Sequence, residues 1–145
     1  MKKNDGYLHE AKMCRQRAIQ GYCDDDLRDI GAWLSRVVPD MLEDYLAQSN
    51  WTPRSADVKD RADFEHAIQQ IADDIRYAGL PAKEDNPYQE EYDNVVRDDH
   101  IPTMQEEIEV IEKWAQANEE LMMDKINRLK RGLEGLAKWY WDLWF

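Results

Sequence analysis

Almost every signature that would name a reaction is missing from this chain. Cysteine is scarce: the 145 residues contain two, Cys14 and Cys23. On one continuous helix that spacing separates them by about 13 Å along the axis, beyond disulfide reach, so two reduced thiols are expected. No CxxC pair and no Cys/His cluster suggests zinc. None of His9, His66 and His100 has Glu three residues before it, which removes the Glu-x-x-His pattern of di-iron bundles. Asp63 with His66 is the nearest approach and reads as a surface pair. Nothing supports Ser/His/Asp or Cys/His nucleophilic catalysis, and no cofactor is implied. Long apolar runs are absent too. No stretch approaches the roughly 18 apolar residues of a membrane span. Met1, Lys2 and Lys3 lead straight into Asn4, Asp5 and Gly6 without the apolar segment of a signal peptide. A cytoplasmic protein without a membrane partner is the expectation. Internal repeats and low-complexity tracts are also lacking.

What the chain has is acid, unevenly placed. Its 31 Asp and Glu against 19 Lys and Arg give a net charge of -12. Between Asp57 and Asp124 stand 20 acids and 6 bases, a balance of -14 (6 minus 20), so the remainder of the chain sums to +2. A one-signed block attracts the opposite sign and repels its own, which argues against direct contact with nucleic acid or anionic lipid. Six Trp and seven Tyr argue against disorder, which is poor in aromatics. The length suits one helical domain over residues 1–145, burying roughly two-thirds of the surface of its unfolded chain.

Apolar residues recur at helical spacing nearly throughout, so the expected fold is all-α: an irregular bundle of about five helices with a long C-terminal helix. Tyr7, Ala11, Cys14 and Ala18 form the stripe of a first, basic helix ending near Gly21. Asp24, Asp25 and Asp26 are placed to cap a second helix. Its inner face is expected at Leu27, Ile30, Leu34, Val37, Met41 and Tyr45, with a kink or brief break at Pro39. Ser55 is the expected N-cap of a third helix with Phe64, Ile68, Ile71 and Ile75 inward, ended by Gly79 and Pro81. A short helix over 87–97 carries Tyr88, Tyr92 and Val95 on one side, followed by a solvated loop at Asp98, Asp99 and His100.

The last helix is expected to start after Pro102, with Thr103 as N-cap and Glu106 completing a capping box. Its inner seam reads Met104, Ile108, Ile111, Ala115, Asn118 and Met122. A stutter-like phase change at Ile126 leads into Leu129, Leu133, Leu136, Tyr140 and Leu143. Gly132 and Gly135 weaken the helix there.

Six acids of that helix, Glu106, Glu109, Glu112, Glu119, Glu120 and Asp124, fall within an arc of about 140° away from the seam. Only Lys113, placed to pair with Glu109, interrupts them. Like-charge spacing of this kind costs only about 0.2–0.5 kcal/mol per pair, so an ordinary solvated face would tolerate it. Duplex DNA would carry about 18 charges over the 30 Å of residues 105–124, so one helix alone is too sparse a copy. The block approaches that density only if acids such as Asp73, Asp74, Glu90 and Glu91 share the face. The leading expectation is therefore a non-catalytic, acidic interaction module: an inhibitor or decoy that occludes a basic, nucleic-acid-binding surface of a partner protein, as mobile-element decoys do.

Two alternatives stand beside it. Trp139, Tyr140, Trp141, Trp144 and Phe145 crowd seven positions, more than one core face can cover, so they are expected to meet Trp33 or Trp51, a second copy or a partner. A basic patch at Lys125, Arg128, Lys130 and Arg131 precedes them and suits the acidic stripe of a second chain. This is the pattern of a helical assembly or adaptor protein, a possible homo-oligomer. The second alternative is a magnesium-dependent helical nucleotide pyrophosphohydrolase, since Glu106 with Glu109, Glu109 with Glu112, and Glu90 with Asp93 place carboxylates at i,i+3. The order of those pairs is wrong for that chemistry, and Glu120 with Asp124 is one residue too wide.

Overall fold

The computed structural model describes residues 4–97 and 102–143. Five helices account for most of them: α1 (Asn4–Gln20), α2 (Ile30–Gln48), α3 (Arg61–Ala78), α4 (Gln89–Val95) and α5 (Gln105–Trp139). Short 3-10 turns occur at Asp26–Arg28, Ala82–Glu84 and Tyr140–Asp142. Among the described residues an isolated bridge between Ser55 and Val58 is the only extended pairing. None of these helices is long and apolar enough to cross a membrane. The fold is an all-α bundle, as the periodicity requires.

Helix α3 is the centre, packed against α2 on one side and α5 on the other. Its face is the one expected, with Phe64, Ile68, Ile71 and Ile75 all buried. Phe64 stands edge-on to both Trp51 and Trp139, at 6.4 and 5.6 Å between ring centroids. Asp60, not Ser55, caps the helix by accepting from the Asp63 N–H. Ser55 instead accepts from the Asp57 N–H within the preceding turn.

Both flanking helices keep part of the expected face and shift the rest by one residue. In α2 the inward residues are Leu34, Val38, Leu42 and Tyr45, while Leu27, Ile30 and Met41 are exposed. The cause is duplication of apolar positions (Val37-Val38, Met41-Leu42, Tyr45-Leu46), which lets two adjacent faces satisfy one periodicity. Helix α2 runs through Pro39 without a break, and Pro39 itself is buried. In α5 the expected Leu129 and Leu136 pack against the core, but the most buried positions are Lys125, Gly132 and Trp139, each one residue before the expected Ile126, Leu133 and Tyr140. Here small and polar groups choose the phase. A Cβ on Gly132 would lie 2.9 Å from Ile75 Cγ1, and one on Gly135 would lie 2.7 Å from Ile71 Cγ1. Their missing side chains let α3 approach. Lys125 Nζ donates to the Tyr77 carbonyl at 3.1 Å and lies 4.0 Å from the Tyr77 ring centroid. The start of α5 is also shifted. Met104 is the cap residue, and the Glu107 carboxylate accepts from the N–H groups of Thr103 and Met104.

Helix α1 stands apart from this core. Its Tyr7, Ala11, Cys14 and Ala18 stripe faces solvent, and the acids of the following segment hold its other side. Asp24 accepts from Lys12 and Gln16, Asp25 pairs with His9, and Asp26 takes a bidentate grip from Arg17. The triplet expected to cap α2 thus ties α1 down, and Asp29 does the capping through the Ala32 N–H. Gly21, at φ +82, supplies the left-handed turn between them. Arg17 holds the Asp26 carboxyl far below the usual carboxylate range against the cost of burial. Asp26 also receives the N–H of Cys23, whose side chain is fully buried, whereas Cys14 is exposed. Asp26→Asn should therefore loosen the segment and speed alkylation of Cys23 by about tenfold or more, with Cys14 unchanged as internal reference. Mass spectrometry after timed iodoacetamide treatment reads both sites. Equal Cys23 rates in both proteins would show that Asp26 does not hold this corner.

Candidate interaction surface

The ten acids expected to share a face divide into groups. Glu106, Glu109, Glu112, Glu119 and Glu120 are exposed on the side of α5 turned away from α3, and Asp124 is exposed at the edge of that side, beside the Tyr77 hydroxyl of α3. Glu90 and Glu91 are exposed on α4, a separate helix that packs on α5. That contact is specific: Tyr92 stacks on Trp114 at 4.0 Å, and Trp114 Nε1 donates to Gln89 at 3.0 Å. Asp73 belongs to the α2–α3 side, where Arg76 gathers Asp40, Glu43 and Asp73. Asp74 corrects the sequence reading outright. It is 1% exposed and gripped by Arg128 at 3.0 Å and by Arg131 at 2.6 Å, so it is part of the α3–α5 packing and offers nothing to a partner. Arg131 in first place, helped by Arg128, holds its carboxyl below the usual range against burial.

The basic patch before the aromatic end is consumed in the same contacts. Lys125 is buried beside Asp85, Arg128 and Arg131 serve Asp74, and Lys138 reaches Asp57 at 3.0 Å. Lys130 stays exposed.

Some acids are met by a cation of this chain, whereas the six of the ridge, like Glu10, Asp29, Asp44, Glu90, Glu91, Asp93 and Glu134, form no ion pair among the described residues. Asp24, Asp25, Asp26, Glu43, Asp57, Glu65, Asp74 and Asp85 each meet a cation of this chain. Among the described residues, no Lys or Arg forms an ion pair with a ridge carboxylate, Lys113 with Glu109 included. Glu109 and Glu120 accept only from the neutral amides of Gln105 and Gln116. Burial together with the neighbouring Asp124 pushes the Tyr77 hydroxyl up. Among the described residues no three His, Cys, Asp or Glu side chains gather where they could hold a metal ion.

The aromatic end divides as well. Trp139 is core, 5% exposed against Phe64, not an interface residue. Tyr140 and Trp141 are exposed and lie edge-to-face at 5.1 Å. Trp144 and Phe145 lie outside the described residues, as do Asp98, Asp99 and His100. In place of the expected contact with Trp33 or Trp51, Trp139 meets Phe64, which Trp51 also meets edge-on.

One feature went unread in the sequence. A groove of about 630 Å³ lies between α2 and the end of α5, lined by Val38, Met41, Leu42, Tyr45, Leu136, Tyr140 and Leu143. Asp44 and Gln48 also line it, and it shares Tyr140 with the exposed apolar residues at the end of α5. The signal was the doubling of apolar positions: a helix with two adjacent apolar faces turns one of them outward. No known protein family, curated protein or solved structure matches the chain.

Proposed function

We propose that this protein is a non-catalytic interaction module whose α5 ridge docks on a basic surface of a partner protein and keeps nucleic acid off it. The observation that carries this reading is the ridge itself: six exposed carboxylates gathered on one side of a single helix, none of them in an ion pair with Lys or Arg among the described residues. Unpaired exposed carboxylates on a rigid helix keep their field available to a partner.

Charge density refines the idea. Glu106 to Asp124 spans about 27 Å of helix. A nucleic-acid duplex carries about 16 phosphates over that length and one strand about 8. Six carboxylates are comparable to the single strand. The matching partner surface is a groove for one phosphate backbone, and the acids of α3 and α4 are not needed to fill it.

The test is capture from a lysate of the native host on the immobilised protein. Retained proteins should be nucleic-acid binders and should be released by added single-stranded nucleic acid. The triple variant Glu106→Lys, Glu109→Lys and Glu120→Lys should keep its helical circular dichroism and bind at least about tenfold more weakly. Unchanged retention by that variant, or no competition from nucleic acid, would sink the proposal.

A further inference from the structure

Helix α5 exposes a second face that the ridge does not use. Met104, Ile108, Met122, Ile126, Leu133 and Tyr140 are between 39% and 62% exposed. They lie about 100° around the helix from the Lys125, Gly132 and Trp139 face that meets α3. Within the seam spacing of fours and threes, the positions nearer α3, Leu129 and Leu136, are half-buried against the core. The outer positions are left exposed among the described residues. Such a row repeats at the interval with which one helix packs lengthwise on another.

We infer that this face is covered by a second copy of the same chain, with the two α5 helices antiparallel and Met122 of each beside Ile126 of the other. The first reason is length. The seam runs over most of the 35 residues of α5, and no other helix among the described residues exceeds 19. The helix that fits it is α5 again.

The second reason is area. Large side chains carry on the order of 150–200 Å² each, so six of them at these exposures leave on the order of 500 Å² open. That equals the apolar share of the ~800 Å² that each partner of a standard interface buries. The chain as a whole exposes 11025 Å². A compact monomer of 17.2 kDa exposes only ~7,800 Å².

The third reason is complementarity, and it sets the direction. With Met122 facing Ile126, Ile108 of one copy arrives beside Tyr140 of the other. The exposed start of α5 then enters the apolar groove between α2 and α5 of its partner. On the outer edge Lys130 of each copy comes beside Glu119 of the other. Both contacts occur twice, as a closed two-fold pairing requires. The arrangement takes Glu119 from the ridge and leaves Glu106, Glu109, Glu120 and Asp124 outside the seam, where the partner proposed above can still reach them.

Light scattering on the eluting protein at micromolar concentration should give twice the chain mass of 17.2 kDa. Ile126→Lys alters an exposed side chain, so helix content should be unchanged while the mass halves. Direction is read by oxidative cross-linking in a Cys14→Ser background. Ala115→Cys together with Leu133→Cys should give a covalent dimer, and Ala115→Cys alone should not. A monomeric wild type, a dimer indifferent to Ile126→Lys, or cross-linking by Ala115→Cys alone would each overturn the inference.

Discussion

Replacing Arg128 and Arg131 together by methionine is expected to lower the unfolding free energy by about 3–5 kcal/mol at neutral pH. The loss comes from what is left behind. Asp74 is 1% exposed between α3 and α5, and its carboxylate takes three charge-assisted hydrogen bonds from the two guanidinium groups. Methionine keeps the apolar stems but none of the donors, and Gln70, at 3.3 Å, is a neutral substitute. The pH dependence separates this cause from a simple packing defect. In the wild type the arginines depress the folded pKa of Asp74, so its stabilisation is present above the unfolded value and lost as pH falls through the folded one. In the variant burial without cations raises that pKa, and the penalty fades as protonation neutralises the group. The stability gap should therefore narrow as pH falls from 7 towards 4. Urea denaturation at the two pH values measures it, and a gap of constant size would contradict the assignment.

The same residue shows where sequence reading ran out. Asp73-Asp74 looks like a solvated pair, and the partners that bury its second member stand 54 and 57 positions later in the chain. Helix α3 was legible because its apolar residues occupy a single phase. Helices α2 and α5 were legible only in part (Leu34, Tyr45, Leu129 and Leu136 do face the core), because paired apolar positions admit two phases. The choice between them fell to groups that hydrophobic periodicity ignores: two glycines, a proline and a buried lysine. The ridge of α5 was legible for the converse reason. Acids on the far side of a helix depend only on the helix being there, and every contact that fixed the inner phase left them outside. Asp24, Asp25 and Asp26 misled because carboxylates at a helix start satisfy two demands equally well, and only the turn at Gly21 brings Lys12 and Arg17 within reach.

Trp139→Ala is expected to cost about 3–5 kcal/mol and Trp141→Ala less than about 0.5 kcal/mol, although the two stand side by side in an aromatic run. Trp139 closes the core: it is 5% exposed, edge-on to Phe64, and the chain just beyond it is tied to α2 by the Tyr45 hydroxyl donating to the Asp142 carbonyl at 3.2 Å. Its removal leaves a hole bordered by Phe64 that rigid helix packing cannot close. Trp141 is 75% exposed, so truncating it removes little buried area. For a chain of this size the first change corresponds to a melting temperature lower by roughly 10 °C and the second to almost none. Trp139→Phe should recover part of the loss by keeping a ring against Phe64. Comparable destabilisation by both alanine variants would mean that Trp141 is buried in the protein in solution. Since Trp141 lies against Tyr140, which lines the α2–α5 groove, that result would point to the second copy as the cover. Repeating the Trp141→Ala measurement in the Ile126→Lys background decides it, because a contribution made across the copies disappears once they separate.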